Sequence, residues 1–487
     1  METSNLVFIM SDEHSRRVLG CYGHEMIRTP NLDALAARGV LFTDAYCNSP
    51  ICVPSRASFA TGRHVNQIRF WDNGNPYDGS VPSWGHRLRE AGHDAVSIGK
   101  LHFRSADDDN GFTEEVMPLH VIEGIGDLSG MIRDDMKPRK VSLMLAEEAG
   151  PGDSDYQRYD DSITETAIAW LRARARRDGA TRPAKPFVLF VSLVCPHFPL
   201  VSRPEYYSLY PEDQVPWPLL YSPEERPTHP FIAKMNETII YDRAFNPPKV
   251  RRAIAAYFGM VTFLDANIGR IVSAIGESGL GDTTRVIYTS DHGDNLGNRG
   301  LWGKSNLYED AVGVPMIMAG PGIPHGIACH EPVSLVDGFP TILACAGVTP
   351  SPADQDLPGR NLFDVARGQA PRATVMSEYH AVGAATGAFM IRKGDFKYIH
   401  YVGMKPQLFD LASDPLEQRD LGTAPGYAGL VGDCERALRA VVDPDAADAL
   451  AHSDQAARVA AFGGRAAVLA RGVLGHSPVP GASPRIL

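Results

Sequence analysis

Five short apolar runs, Leu6–Met10, Ala95–Ile98, Phe187–Val194, Val286–Thr289 and Met316–Met318, narrow the fold more than any other feature of this chain. Continuous apolar runs of this length suit strands of a parallel sheet that is covered on both faces. Between them, Asn31–Arg38, Ser83–Glu90, Ile163–Arg176 and Arg252–Glu277 carry helical spacing, with Pro30 and Pro82 where helices commonly begin. The alternation predicts a doubly wound α/β core. Ligands of such sheets sit beyond the carboxyl ends of the strands. Four of the runs lead directly into polar clusters: Ser11-Asp12-Glu13, Gly99-Lys100-Leu101-His102, Cys195-Pro196-His197 and Ser290-Asp291-His292. Four strand ends therefore point at one cleft.

The chain has 487 residues, more than the ~250–300 at which a single core stops growing. A large α/β domain over 1–371 and a smaller one over 372–487 are expected. Past Arg372 the pattern turns to short strand-like pieces, Thr374–Glu378, Gly387–Arg392 and Phe396–Val402, which predict a small antiparallel sheet. Helical Ala/Arg-rich sequence follows from Leu430 to Arg471. The Pro/Gly/Ser tail, His476 to Leu487, reads as disordered or as an arm laid on a partner subunit of a homo-oligomer, a dimer or tetramer. Arg203 to Pro248, rich in prolines and aromatics, reads as irregular insertions around the substrate cleft.

Charge excludes some functions. The balance of 47 basic against 58 acidic residues, net −11, argues against a nucleic-acid surface, so an anionic substrate must be held by a local basic pocket. The first residues carry no basic region, and Leu6–Met10 is too short for a signal-peptide core. No uninterrupted apolar stretch approaches the ~20 residues of a membrane span. A soluble protein with no membrane partner is expected, with the cytoplasm its simplest location. Seven cysteines without a CxxC pair fit reduced thiols rather than a disulfide framework.

Cys52-Val53-Pro54-Ser55-Arg56-Ala57-Ser58-Phe59-Ala60-Thr61-Gly62-Arg63 resembles the signature of type I sulfatases in the alkaline phosphatase superfamily, where CxPSR directs oxidation of the cysteine to formylglycine, 3-oxoalanine. The resemblance implies an alkaline-phosphatase-like fold, a large mixed and mostly parallel sheet between helices. It also implies a maturation enzyme, either formylglycine-generating or anaerobic. An aldehyde hydrate offers one hydroxyl to attack sulfur and a second whose loss of a proton expels sulfate. Arg56, carried by a helix begun near Pro54, should face the nucleophile and the metal-ligand carboxylates. The alternative for Cys52 is a buried structural cysteine beside a turn proline.

Asp12-Glu13 and Asp291-His292-Gly293, together with Cys52, match the superfamily's single divalent-metal site, for which Ca²⁺ is the first expectation and Mn²⁺ or Mg²⁺ the alternatives. Relatives carry Asp-Asp or Asp-Gln at the first pair, so Glu13 is a departure. Gly99-Lys100-Leu101-His102 resembles the GKxH element, and strand alternation would put Lys100 and His102 on one face, with His102 as the base that releases sulfate. Pro196-His197-Phe198-Pro199 resembles PHxP, and Gly303-Lys304-Ser305 resembles the segment that brings a lysine to the sulfate. His197 and Lys304 then belong to the leaving-group side. Asn73 is a further candidate donor to a sulfate oxygen.

Gln407-Leu408-Phe409-Asp410-Leu411, Asp414-Pro415 and Glu417 look like the sulfatase small domain. Tyr46–Pro50, Asp72-Asn73, Gly99–Phe103 and Gly293–Trp302 are most similar to choline sulfatases and phosphonate monoester hydrolases. The expected activity is hydrolysis of sulfate monoesters, arylsulfatase-like, with promiscuity toward phosphonate monoesters and phosphodiesters. A phosphonate monoester hydrolase and a choline sulfatase are the alternatives. None of Trp71, Trp84, Trp170, Trp217 and Trp302 lies in the C-terminal region associated with a choline pocket.

Overall fold

All five apolar runs become strands of one sheet in the computed structural model, which describes residues 2–178, 185–226 and 228–487. In chain order the strands are β1 (Asn5–Asp12), β2 (Gly39–Phe42), β3 (Ala95–Lys100), β4 (Glu114–Leu119), β5 (Val188–Pro196), β6 (Thr284–Ser290), β7 (Met316–Ala319) and β8 (Ile327–Cys329). They lie side by side as β8-β2-β7-β6-β1-β5-β3-β4. Only β7 runs against the rest, so the sheet is mixed and mostly parallel. The sequence reading had no signal for β2, β4 and β8. The last two are the sheet's edges, where Glu114-Glu115-Val116-Met117-Pro118-Leu119 is half exposed and breaks the apolar run.

Alternation along β1 shows why its run is unbroken. Leu6, Phe8 and Met10 enter one core while Val7 and Ile9 enter the other, and both cores are closed by helices. Three helices matter for the site: α1 (Cys52–Thr61), α2 (Asp155–Asp178) and α3 (Pro247–Glu277). Asn246 caps α3 by accepting from Lys249 N, and the paired prolines sit in its first turn, so the stretch read as irregular stops before Pro247. That stretch also holds a helix, Pro230–Ile239. By length and composition α3 could cross a membrane, an exception to the sequence expectation, but 72% of its apolar window is buried in the core.

The small sheet is antiparallel as expected: β9 (Val375–Tyr379), β10 (Ala388–Lys393), β11 (Phe396–Tyr401) and β12 (Gln407–Asp410), paired in that order. Its inner face, with Met390 and Ile399, shares a core with β1, whereas Phe389 and Tyr398 pack under the helix Ala428–Arg439. The tail is ordered rather than disordered. Val473 and Leu487 exchange backbone hydrogen bonds, Gly475 N donates to Arg485 O, and Arg485 pairs with Glu148, so the end of the chain closes on its own protomer.

A buried charge cluster ties the small sheet to the large one. Lys397 on β11 contacts Glu309 at 3.0 Å and Glu417 at 2.8 Å, and Arg16 after β1 pairs with the same Glu309. Burial opposes ionisation of Glu309, but Lys397 and Arg16 outweigh it and hold the carboxyl at about 2. Its stabilisation is therefore present above the unfolded value of 4.5 and lost as the pH falls toward 2. Glu309→Gln should cost about 3–5 kcal/mol at neutral pH, because it leaves Arg16 without its carboxylate. Urea unfolding at a series of pH values should show this gap narrow below pH 4.5.

Candidate active site

Cys52 opens α1, one position into a helix whose ten residues are all buried. The helix starts at Cys52, two residues before Pro54. Pro54 is its third residue, where a missing N–H costs nothing because first-turn amides have no partner within the helix. One of those amides, Val53 N, is taken by Asn73 Oδ1 at 3.1 Å. Asn73 thus fastens the first turn of α1 with its oxygen and also lines the cavity. The amino end of α1, with its positive dipole, faces the site.

Asp12 at the end of β1, Asp291 and His292 just past β6, and Cys52 bring their ligand atoms within 4.8 Å of one another, all buried. Cys52 Sγ lies 3.2 Å from His292 Nε2 and 3.6 Å from Asp12 Oδ1. Arg56, one turn beyond Cys52, donates from Nε to Asp291 at 2.7 Å and from Nη2 to Asp12 at 3.2 Å. Its third nitrogen is spent on Lys100 O and Ser192 Oγ. Lys100 Nζ reaches Asp12 at 2.5 Å. Burial resists ionisation of Asp12, yet Lys100, His197, Arg56 and Lys304 hold its carboxyl well below the usual range.

These residues fit a divalent cation. His292 Nδ1 donates to Gly293 O at 3.1 Å, which fixes the tautomer and leaves the Nε2 lone pair facing the carboxylates. Glu13 is completely buried in a left-handed conformation, φ 67°, and its Oε1 has no partner. Burial raises its carboxyl to about 7, even with Lys304 Nζ 3.0 Å from Oε2. An orphaned carboxylate oxygen beside Asp12 is what a cation would satisfy. Burial, helped by Asp12, pushes the Cys52 thiol up to about 12 against Lys304 and Lys100. Unmodified Cys52 is thus a neutral thiol near pH 7, a weak nucleophile.

Lys304 lies 3.4 Å from Cys52 Sγ and donates to His197 Nε2 at 2.8 Å, since His197 Nδ1 is committed to Phe198 O. His102 enters the same cavity by another route than the one expected. Strand alternation ends at Lys100, and His102 has φ 60°, so the backbone turns and the two side chains do not share a strand face. Gly99, at φ 100°, makes that approach possible; a Cβ there would sit 2.3 Å from Ser192 O. His102 Nε2 is bonded to Ser477 Oγ of the tail at 2.7 Å.

The cavity, about 150 Å³, opens away from this cluster between apolar side chains, among them Val121, Val141, Leu145, Ile239 and Leu474. Tyr156, Tyr241 and Ser477 also line it, and the sequence reading named none of them. The tyrosines lie on helices without a motif around them, and Ser477 lies in a tail that composition marks as unstructured. Every candidate residue named from the sequence, by contrast, is at this centre or on the cavity wall.

A sulfatase family model matches residues 4–348, and one for the C-terminal part of N-sulphoglucosamine sulphohydrolase matches 297–443. The chain is 30% identical over 433 residues to a choline-sulfatase of Rhizobium meliloti (strain 1021), covering 86% of this chain and 83% of that one. To arylsulfatase K of Danio rerio it is 28% identical over 469 residues, covering 90% and 84%. The phosphonate monoester hydrolase of Agrobacterium radiobacter superposes with a TM-score of 0.69 at 23% identity, over 90% of this chain and 95% of that one.

The geometry sets a metal-binding test. Equilibrium dialysis should find one divalent ion per chain, and Asp291→Asn should weaken retention by about 10- to 100-fold. Unchanged retention in that variant would mean that the ion sits elsewhere.

Proposed function

The chain belongs to the sulfatase family and is a sulfuric ester hydrolase, and we propose that it cleaves sulfate monoesters of compact apolar alcohols and phenols, using Cys52 oxidised to formylglycine and one divalent metal ion. The observation that carries this reading is the convergence of Asp12, Asp291 and His292 on the first residue of α1, next to a cavity lined by Lys100 and Lys304. Hydrated formylglycine at position 52 would supply one hydroxyl to attack sulfur and a second whose deprotonation would expel sulfate as the aldehyde re-forms. Asp12, Asp291 and His292, with Glu13 and residue 52 completing the set, would hold a divalent ion, which would supply Lewis acidity at this centre. The imidazole in this donor set weighs toward Mn²⁺ and against Ca²⁺, which takes oxygen ligands.

The chain's own side chains do the remaining work. Lys100, Lys304 and the NH₂ of Asn73 hold the sulfate oxygens and neutralise charge as it develops. His197 accepts a hydrogen bond from Lys304 at Nε2, with Nδ1 anchored on Phe198 O, so a proton delivered to the departing alcohol comes from the Lys304 ammonium of this pair. His102 takes the proton whose removal releases sulfate. Arg56 keeps Asp12 and Asp291 apart from each other's charge and ties both to α1. Because Cys52 is only 1% exposed, a formylglycine-generating or anaerobic maturation enzyme must act on it before the fold closes. Seven free cysteines support a reducing, cytoplasmic location.

The apolar wall argues for the leaving group. Arg139, a further cation in the cavity lining, is already paired with Asp127. A second reading, choline sulfate, draws on the likeness to choline-sulfatase and on the rings of Tyr156, Phe198 and Tyr241 around the cavity. Its difficulty is the acid: of those lining the cavity, Asp127 is held by Arg139, Glu13 by Lys304, and Asp72 by Gln455 and Gly74 N. Phosphonate monoesters present the same tetrahedral anion to the same lysines, so weaker turnover of them is part of the proposal.

Peptide mass spectrometry should find formylglycine at position 52, and Cys52→Ala should lose about 10⁴-fold or more in kcat/KM on 4-nitrophenyl sulfate while staying folded. Near-wild-type activity in that variant would end the reading. His197→Ala should lose most activity on alkyl sulfates and much less on 4-nitrophenyl sulfate, whose leaving group needs no proton. Equal losses on both would remove His197 from the leaving-group side. In a substrate panel, choline sulfate outrunning alkyl and aryl sulfates would favour the second reading.

A further inference from the structure

The last fifteen residues reach the cleft in a way that none of the family motifs contains. The segment is clipped shut by the Val473–Leu487 and Gly475–Arg485 backbone bonds, and inside that clip Leu474 to Ser477 form one wall of the cavity. Two bonds hold Ser477 in particular. Tyr156 OH donates to its backbone carbonyl at 2.5 Å, and its hydroxyl meets His102 Nε2 at 2.7 Å. Tyr156 itself stands edge-on to His197, ring centroids 5.9 Å apart, so one tyrosine braces both the tail and the other histidine of the site.

The consequence for His102 follows from which nitrogen is used. His102 is 4% exposed, its Nε2 is engaged by Ser477, and its Nδ1 is buried with no partner. The hydrogen bond made by one ring nitrogen decides the tautomer and orientation of the other. We infer that Ser477 is a positioning residue: by accepting the Nε2 hydrogen of His102 it leaves the unpartnered Nδ1 as the nitrogen free to accept a proton. The backbone at His102 is left-handed, φ 60°, so nothing in the strand geometry holds the ring, and the tail hydroxyl does so instead. The inference rests on the sulfatase reading of the site and adds to it a residue outside the motifs.

Ser477→Ala keeps the backbone carbonyl that Tyr156 holds, so the tail stays seated, and Ser477→Thr keeps the hydroxyl. With residue 52 confirmed as formylglycine and the metal loaded, Ser477→Ala should lower kcat on 4-nitrophenyl sulfate about tenfold, the usual cost of losing a supporting hydrogen bond. KM should stay within about twofold. Rapid mixing should show one equivalent of nitrophenolate per chain released at the wild-type rate before the slow steady state, because His102 acts after the phenol has left. Ser477→Thr should restore the wild-type kcat. Unchanged kcat in Ser477→Ala would overturn the inference, as would a rise in KM at constant kcat, which would mark the segment as a wall only. A wild type that ignores every sulfate ester but hydrolyses phenyl phosphonate would instead fail the sulfatase reading. The same comparison of Ser477 variants on the phosphonate ester would still decide the role of Ser477.

Discussion

The site depends on one buried guanidinium. Arg56 joins Asp12 at the end of β1 to Asp291 past β6, and through Lys100 O it also holds the end of β3. The ends of three strands and the first turn of α1 are thereby held to one planar group. Guanidinium suits this better than ammonium, since its five N–H donors lie in one fixed plane and its charge persists at any working pH. Burying a cation between two carboxylates gives little net stability, because desolvation opposes the Coulombic gain. What the arrangement secures is geometry: Cys52, one helical turn back, cannot shift without moving both carboxylates.

Strand ends set this geometry, and that is why so much of it was legible. Asp12, Lys100, His197, Asp291 and His292 each follow an apolar run closely, and a parallel sheet must deliver such residues to one edge. Cys52 and Arg56 are legible for another reason, a four-residue interval that any helix converts into a shared face. The left-handed turn at His102 was not legible, because alternation says nothing about where a strand stops. Nor was the path of the tail: Pro, Gly and Ser describe a segment with little core to form alone, and here it borrows its anchors, Tyr156, Glu148 and His102, from residues more than three hundred positions away. Edge strands failed for the same reason, being defined by their neighbours more than by their own apolar content.

The small sheet has a share in the chemistry although it supplies no residue of the central cluster. Lys397 reaches out of β11 to Glu309, which also receives Arg16, four positions beyond Asp12. Movement of the small sheet would therefore pull on the loop that carries Asp12 and Glu13. A hydrophobic contact of equal area would bind the sheets as well, but it would not fix their register; a cluster of alternating charges in a low-dielectric interior tolerates few arrangements.

Charge finally explains how an acidic protein handles an anion. The chain carries a net −11, so its long-range field repels the substrate the cavity must take. Within the site, Asp12, Glu13 and Asp291 face Arg56, Lys100 and Lys304, three acids against three bases, a set that is close to neutral by itself. A divalent ion held there would add two positive charges and turn that balance toward an anion, with burial keeping bulk water from screening them. Attraction over long distances is thus forgone, while the tetrahedral anion is favoured only where the nucleophile stands. Discrimination among esters then falls to the uncharged part of the cavity, the apolar wall that the tail completes with Leu474.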